Sequence, residues 1–271
     1  MSEKEKKWEH LFLEEFSNNV IPKDKRDAIP ETVILGLGFK NGYEERLAKP
    51  LHRSKKIGQF HVGTYNDLPM ATVCQSMGSL NTEVVVRVLT KTPVRSVVGV
   101  GLAGALQKDI GVGSIILPTL ALRGEGTTDY YAPKDIEAVP SSTVQNALAE
   151  ALGESAVFHK GSVFTTGALI KEDDEIICKL NKEGVLGIEC ETSVLFLVSR
   201  LYGIDSGAIL LVSDNPLLKI LWCDPGMTRE FEKGFAQVVK AAYEAASTIA
   251  GRQRVADKVQ NPSWIKRLKQ L

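Results

Sequence analysis

The chain has 271 residues, of which 44% are hydrophobic, enough for one large α/β domain with a substantial core. Its 33 basic and 33 acidic residues balance, so the chain as a whole carries no charge that would attract nucleic acid or an anionic membrane. No window approaches about 18 uninterrupted apolar residues, which excludes a membrane-spanning helix. The charged start, MSEKEKKWEH, is unlike a signal peptide.

The cysteines argue against a metal site. They are far apart in the sequence, no Cys-x-x-Cys pair occurs and no histidine lies at ligand spacing, so structural zinc is not expected. Free thiols fit a reducing compartment, and we expect a cytoplasmic globular protein. The four residues are Cys74, Cys178, Cys190 and Cys223.

Residues 1–30 predict a helical extension. Apolar residues recur at helical spacing, and a charged stretch closed by Pro22 and Pro30 follows. We expect an amphipathic helix that docks either on the main body or on a neighbouring subunit. Its spacing is carried by Trp8, Leu11, Phe12, Glu15 and Phe16.

From residue 32 short β-branched runs alternate with helical patterns. Strands are predicted over residues 32–37, 70–74, 96–100, 114–117, 156–164 and 208–212. Helices are predicted over residues 81–90, 142–152, 173–182, 190–201 and 228–250. This alternation predicts an α/β three-layer sandwich, in which helices flank both faces of a central β-sheet. The run 60–65, followed by Asn66-Asp67, predicts a hairpin and hence a mixed sheet. Residues 31–252 form the predicted main domain, and 253–271 a basic C-terminal extension.

Gly99, Gly101 and Gly104 (GVGLAG) spell the dinucleotide-binding fingerprint after a strand. That fingerprint needs a helix of about three turns and then a strand ending in an acidic residue. Only residues 105–110 are available for the helix, and Pro118 ends the next strand. An NAD site is therefore disfavoured. The glycines form either a tight turn or a backbone stretch that a ligand approaches closely.

Six segments, taken together, support the second alternative. In chain order they are 36–40 (GLGFK), 77–83 (MGSLNTE), 100–113 (VGLAGALQKDIGVG), 122–133 (LRGEGTTDYYAP), 187–196 (GIECETSVLF) and 211–215 (LVSDN). This ordered set resembles the nucleoside phosphorylase/nucleosidase family over residues 32 to 250. The resemblance implies a nucleoside and inorganic phosphate as substrates, no metal or organic cofactor, and a homo-oligomer, a dimer or trimer of dimers, with shared active sites.

Cleavage of an N-glycosidic bond develops positive charge on the sugar and negative charge on the departing base. The resemblance makes Asp214, at the end of the apolar run AILLVSD, the acid that protonates N7 of a purine. It makes Glu191 the acceptor of the ribose 2′- and 3′-hydroxyls, with Cys190 beside the sugar. His61 lies near Lys56 in the sequence and could reach the ribose or a neighbouring subunit's site. Local alternatives stay open: the acids of the Glu-Cys-Glu run favour a helix N-terminus, Asp214 caps the next loop, and His61 packs in the hairpin.

The resemblance also implies a base pocket. An aromatic residue often stacks on the base where this chain has Leu169, and no Gln-x-Arg pair follows, only Asp173 and Glu175. Leu169 offers only apolar contact and does not identify the base. The absence of the Gln-x-Arg pair disfavours uracil, and Ser213-Asp214-Asn215 favours a purine. The implied pocket consists of Ala103, Gly104, Thr165, Thr166, Leu169, Glu189 and Ser213.

The implied phosphate site departs furthest from the family. Arginine forks suit phosphate oxygens, yet the family's arginines fall on Lys40, Lys56 and Gly99, and its Ser/Thr falls on Leu102. The two lysines and the amides of Gly36 and Gly78 could bind phosphate. Alternatively, phosphate is not the nucleophile.

Three functions follow from these residues. We expect phosphorolysis of a nucleoside, with a purine favoured over uridine, to free base and ribose 1-phosphate. Hydrolysis by water is the first alternative, although Glu44 and Glu45 come too late after the first strand to match a nucleosidase base. A non-catalytic nucleoside-binding or storage protein is the second.

Overall fold

The computed structural model describes residues 3–38, 42–153, 157–221 and 228–260. These residues form nine strands, and the strands are β1 (Thr32–Gly36), β2 (His52–Ile57), β3 (Phe60–Tyr65), β4 (Leu68–Cys74), β5 (Ser96–Ala105), β6 (Ile115–Gly124), β7 (Phe158–Thr166), β8 (Gly187–Glu189) and β9 (Asp205–Asp214). The helices in the same ranges are α1 (Glu3–Val20), α2 (Tyr43–Ala48), α3 (Ser79–Leu89), α4 (Ser142–Leu152), α5 (Asp174–Lys182), α6 (Thr192–Leu201) and α7 (Thr228–Gln260).

All nine strands belong to one mixed sheet, in the order β2-β3-β4-β1-β5-β8-β7-β6-β9. Strand β1 lies parallel to β4 and β5, whereas β2, β3 and β4 form an antiparallel meander that includes the predicted hairpin. Strand β9 pairs with both β5 and β6, so the last five strands of the order curl into a ring. The predicted mixed sheet is confirmed.

Helices cover both faces of this sheet. One apolar cluster contains residues of α3 and α6, such as Val86 and Leu195, and the other contains residues of α4 and α7, such as Leu148 and Tyr243. Every residue of β1 is buried, as expected for a strand between two helical layers. The predicted three-layer α/β sandwich is thereby confirmed.

The glycine-rich run lies in a strand and makes no turn. Strand β5 contains Gly99, Gly101 and Gly104 and pairs with β9 from Ser96 to Gly104, with a register shift between Ala103 and Gly104. The tight turn, the alternative that the six segments did not favour, is therefore wrong. The glycines leave room for neighbours, because an added Cβ at Gly99 would lie 2.6 Å from Leu195 Cδ2 and one at Gly104 would lie 3.2 Å from Asp214 Oδ2.

The N-terminal helix contacts its own chain through charged residues. Arg87 of α3 donates a hydrogen bond to Glu9 (2.6 Å), and Arg26 donates one to Glu14 (2.9 Å). Docking on the main body, one of the two predicted alternatives, thus occurs, but the aromatic face is not the face that docks. Trp8 is 69% exposed and Phe12 is 54% exposed.

The last helix continues beyond the predicted domain boundary at residue 252. Gln253 of α7 donates a hydrogen bond to the Ser96 hydroxyl (2.9 Å) and accepts one from the Thr32 hydroxyl (2.9 Å). It therefore fastens the helix to the starts of β5 and β1. Residues 261–271 of the predicted C-terminal extension lie outside the described residues.

None of the helices in the described ranges has the length and apolarity needed to cross a membrane. The same ranges contain no group of three or more His, Cys, Asp or Glu side chains that could hold a metal ion.

Candidate active site

The candidate site lies where strand ends meet. Strands β1, β5 and β9 are parallel, so their carboxyl ends share one edge of the sheet, where ligands of open α/β folds bind. Strand β8 runs antiparallel across the end of β5 and delivers the segment that follows it to the same edge. This topology brings the regions of Gly36, Gly104, Glu191 and Asp214 together from distant parts of the chain.

Glu191 is a buried carboxylate that faces this edge. It precedes α6, yet its side chain makes no capping hydrogen bond to that helix. Instead its Oε1 accepts the Gly78 N–H at 2.6 Å, and a Cβ added at Gly38 would lie 3.4 Å from the same oxygen. Burial raises the pKa of Glu191, as does the charge of Glu189, and the Gly78 N–H opposes both effects.

Glu189 holds the segment that carries Glu191. Its Oε2 accepts the N–H groups of Glu191 and Thr192, both at 2.7 Å, and its Oε1 accepts the Thr165 hydroxyl at 2.5 Å. Both oxygens are thus engaged by the protein, and burial raises the pKa of Glu189. The helix-terminus role is therefore performed by Glu189, which positions Glu191 from behind.

Asp214 ends β9 beside the bare backbone of Gly104. The Ser213 hydroxyl donates to its Oδ1 at 2.6 Å, while its Oδ2 faces Gly104. Burial raises the pKa of Asp214, and the hydrogen bond from Ser213 opposes that rise. Burial thus favours the protonated form of this carboxyl more than in water.

The loop after Asp214 is fixed by a different residue. The amide of Asn215 donates to the carbonyl oxygens of Gln107 (2.9 Å) and Ile110 (3.0 Å) and accepts the Leu218 N–H (3.1 Å). Capping of the next turn, the local alternative for Asp214, is therefore performed by Asn215. The Asp214 carboxylate remains available to a ligand.

Some of the other predicted pocket residues use their polar groups within the protein, and the rest offer apolar surface. Thr165 is buried and its hydroxyl donates to Glu189, whereas the Thr166 hydroxyl accepts the Ala168 N–H at 3.1 Å. Leu169 is 45% exposed on a short 3-10 turn after β7, open to a ligand. Ala103 is buried in β5 beside Gly104, and Cys190 is buried between the two glutamates.

Sequence reasoning missed Glu172. This half-buried residue follows the turn after β7, and burial together with the charge of Asp214 raises its pKa to about 7. A signal was present in the sequence, because Asp173 matches a helix N-cap and does accept the Ile176 N–H (3.1 Å). The acid just before a cap lies outside the helix and is free to face elsewhere.

The predicted phosphate ligands are less well assembled than the carboxylates. Lys56 is 59% exposed and donates to Glu44 (2.9 Å), whose Oε1 also contacts His61 Nε2 (2.8 Å). Lys56 and His61 therefore both contact the carboxylate of Glu44. The Gly78 N–H bonds Glu191, and Gly36 ends β1 beside Cys74. Lys40 lies outside the described residues.

The missing arginine has a structural reason. Position 99 is enclosed, because an added Cβ would lie 2.6 Å from Leu195 Cδ2, 3.2 Å from Leu37 Cδ1 and 3.3 Å from the Gly207 carbonyl oxygen. No side chain fits there without displacing core residues. An arginine at this position of β5 would require Leu195 and Leu37 to move.

The candidate site of this α/β sandwich is thus built around acids of raised pKa, namely Glu191, Asp214 and Glu172. Residues 33–250 match the phosphorylase superfamily, and the chain belongs to that superfamily.

Comparison with individual proteins extends this result. A guanosine phosphorylase of Halorubrum lacusprofundi is 31% identical over 149 residues, which cover 53% of this chain and only 61% of that protein. A uridine phosphorylase of Treponema pallidum is 27% identical, covering 63% and 73%, and a DeoD-type purine nucleoside phosphorylase of Bacillus velezensis is 29% identical, covering 68% and 79%. The crystal structure of uridine phosphorylase from Vibrio fischeri ES114 has the same fold, with a TM-score of 0.74, 22% identity, and coverage of 84% and 95%.

Proposed function

We propose that the protein is a nucleoside phosphorylase that cleaves a purine nucleoside with inorganic phosphate, giving free base and ribose 1-phosphate. The observation that carries this proposal is the arrangement of Asp214, a carboxyl of raised pKa beside Gly104, at the same sheet edge as the buried Glu191. One carboxyl suits the leaving base and the other suits the sugar.

Each carboxyl has a part in bond cleavage. Glu191 accepts the ribose hydroxyls, and its negative charge stabilises the positive charge that develops on the sugar. Asp214 donates its proton to N7 of the base as the glycosidic electrons move onto the ring, so the base leaves as a neutral molecule. A phosphate oxygen then forms the new bond to the anomeric carbon of the ribose. Ser213 holds the Asp214 carboxyl in position through its hydroxyl.

The preference for a purine rests on Asp214. Similar proteins are named for guanosine, for uridine and for purine nucleosides, so their names leave the base open. A uracil ring has no N7 for an acid to protonate. The segment after β7 offers Asp173 and Glu175 where recognition of uracil would use Gln-x-Arg, and Asp173 is engaged as a helix cap.

Hydrolysis is the second candidate, and the enclosed position 99 favours it. The described residues place no arginine against Glu191 or Gly78, and Lys56 is paired with Glu44. Water needs no cationic site, so it could replace phosphate as nucleophile. We keep phosphate first because the carboxylate base of a nucleosidase has no match after β1 in this sequence.

The test is release of free base from guanosine, inosine, adenosine, methylthioadenosine and uridine, each with and without inorganic phosphate. Phosphate-dependent release from purine nucleosides is expected, together with ribose 1-phosphate. Equal release without phosphate would establish hydrolysis. Binding of a base without any turnover would identify a nucleoside-binding protein, and release from uridine alone would overturn the purine assignment.

Variants at the lysines separate the nucleophiles further. Lys40→Ala should raise the KM for phosphate of a phosphorylase about 10-fold or more, because it removes a charged hydrogen-bond donor. Lys49→Ala, at an exposed neighbouring lysine, is the matched control. If Lys40→Ala changes neither the phosphate KM nor turnover, Lys40 has no part in phosphate binding.

We also propose a homo-oligomer that works without a metal or organic cofactor. The aromatic face of α1, with Trp8, Phe12 and Phe16 exposed, gives a second copy an apolar surface to cover. Light scattering of the wild type should give a mass that is a multiple of 29.6 kDa. A monomer would overturn the oligomer, and loss of activity after chelation and dialysis would overturn the cofactor-free mechanism.

A further inference from the structure

The segment that carries Glu191 is held from two sides. On one side is the first turn of α3, where the Gly78 N–H donates to Glu191 Oε1 (2.6 Å) and the Ser79 hydroxyl donates to the backbone carbonyl just before Glu191 (2.7 Å). On the other side is the segment after β6, where Glu125 accepts the Ser193 hydroxyl at 2.8 Å. The position of Glu191 therefore depends on how α3 and the segment after β6 are arranged around it.

A buried cluster ties these two elements to each other. Tyr131, which ends the segment after β6 (residues 125–131), donates its hydroxyl to Glu83 of α3. The same hydroxyl oxygen accepts a hydrogen bond from Arg87 of α3 at 3.4 Å, and Arg87 is 8% exposed. The Arg87 Cζ also lies 4.1 Å from the centre of the Tyr202 ring at the end of α6. One guanidinium thus joins α3, α6 and the segment after β6.

The N-terminal helix supplies the negative charge that this guanidinium faces. The Nη2 group of Arg87 donates to the Glu9 carboxylate of α1 at 2.6 Å, and its Nη1 group donates to Tyr131. Among the described residues the buried Nε of Arg87 has no hydrogen-bond partner, so the guanidinium depends on its two terminal nitrogens. A buried cation that loses its counter-charge is strongly unfavourable. Helix α1 precedes residues 33–250, which match the superfamily, so this charge comes from outside the matched range.

We propose that α1 is a strap that positions Glu191: Glu9 neutralises Arg87, and Arg87 keeps α3 and the segment after β6 in the arrangement that holds the Glu191 carboxylate. This inference rests on the proposed function, because it takes Glu191 as the acceptor of the ribose hydroxyls. Glu9 is thus a positioning residue that touches no substrate. Asp214 is held by Ser213 of its own strand, so loss of the strap falls on the sugar side of the site.

Two substrates separate positioning from general destabilisation. A ribonucleoside donates its 2′-hydroxyl to Glu191, whereas the 2′-deoxynucleoside lacks that hydroxyl. Loss of folded enzyme lowers the rates with both substrates by the same factor and leaves their ratio unchanged. Displacement of Glu191 weakens a hydrogen bond that only the ribonucleoside makes, so it lowers the ratio of the two kcat/KM values.

The experiment uses two conservative variants, each with a matched control. Glu9→Gln removes the charge of the strap, and Glu15→Gln is its control at an exposed glutamate of α1. Tyr131→Phe removes the hydroxyl of the tie, and Tyr130→Phe is its control at the neighbouring tyrosine, which is 93% exposed. The kcat/KM ratio of a purine ribonucleoside over its 2′-deoxy counterpart is measured with saturating phosphate. In Glu9→Gln and Tyr131→Phe this ratio should fall about 3- to 10-fold, and both controls should keep the wild-type ratio.

Failure of this inference is distinct from failure of the proposed function. A wild-type ratio in Glu9→Gln overturns the strap, even if Tyr131→Phe changes it, and leaves phosphorolysis intact. If the wild type cleaves no nucleoside, or does not distinguish the two sugars, hydrogen exchange followed by mass spectrometry decides. The amides of Gly78 and Ser193, which bind Glu191 and the Thr165 hydroxyl, should then exchange about 3- to 10-fold faster in Glu9→Gln than in Glu15→Gln. Equal exchange in the two variants overturns the strap.

Discussion

The two ends of the candidate site are built in opposite ways. At the proposed sugar and base end, Glu191 and Asp214 are partly or fully buried, and each is oriented by a neighbour, Gly78 or Ser213. At the proposed phosphate end, position 99 is filled by packing and Lys56 is exposed and paired with Glu44. The groups that we propose for bond cleavage are thus pre-organised by one chain, whereas an anion would rely on backbone amides and lysines outside this arrangement.

Asp214→Asn alters the proposed sugar and base end and should have the largest effect on turnover. The amide keeps the shape of the carboxyl but cannot give a proton to N7, so kcat for purine nucleosides should fall about 100-fold or more. Steady-state base release measures it. Asp205→Asn, at the exposed opposite end of the same strand, is the control and should match the wild type. Unchanged turnover in Asp214→Asn would remove this residue from the mechanism.

Glu191→Gln tests the sugar half of that end. Loss of the negative charge weakens the hydrogen bonds from the ribose hydroxyls, so kcat/KM for the ribonucleoside should fall about 10- to 100-fold. The 2′-deoxynucleoside lacks one of those hydroxyls and should lose less, which narrows the ratio between the two substrates. Glu183→Gln, at an exposed glutamate before β8, is the control. Equal losses on both substrates would mean that Glu191 does not bind the 2′-hydroxyl.

The sequence pointed to the two carboxyls of the proposed sugar and base end because the signals for them are local. Asp214 ends a long apolar run and Glu191 belongs to a motif, so strand pattern and resemblance both point to them. The helix predictions also agree closely with α4 and α5, whose starts carry the capping residues Ser141 and Asp173. Features that depend on a single segment were accessible before the structure.

Features that depend on distant packing were not predictable. Strand β2 is a run of exposed polar residues with one buried position, and β8 has three residues, so neither shows a strand pattern. The run around Gly99 left a tight turn open as an alternative, because Leu195 and Leu37, which fill the space beside Gly99, come from other elements. Glu172 escaped notice for the same reason, since its neighbour Asp214 is 42 residues away in sequence.

Gly99→Ala tests whether packing leaves room for a side chain at position 99. Its Cβ would meet Leu195 and Leu37 in a filled core, so the free energy of unfolding should fall by about 1 to 3 kcal/mol. Gly111→Ala is the matched control, because an added Cβ there meets nothing within 4 Å. Thermal or urea unfolding of both variants measures the difference. If Gly99→Ala is as stable as the control, packing is not what excludes an arginine from position 99.

The smallest expected effect concerns Glu172 and pH. Its pKa is about 7 in the folded protein against 4.5 ordinarily, so between these values the folded chain holds a proton that the unfolded chain releases. The stability that this proton gives is present at low pH and is lost as pH rises from 4.5 through 7. At higher pH the ionised carboxylate faces Asp214 and Cys190 without a donor, which destabilises the fold.

The melting temperature of Glu172→Gln should therefore rise relative to that of the wild type between pH 5 and pH 8. The expected gain is about 1 to 2 °C, because solvent screens a half-exposed group. Glu175→Gln should show no such trend, and an equal difference at both pH values would mean that Glu172 titrates normally and that its environment is not the acidic one described.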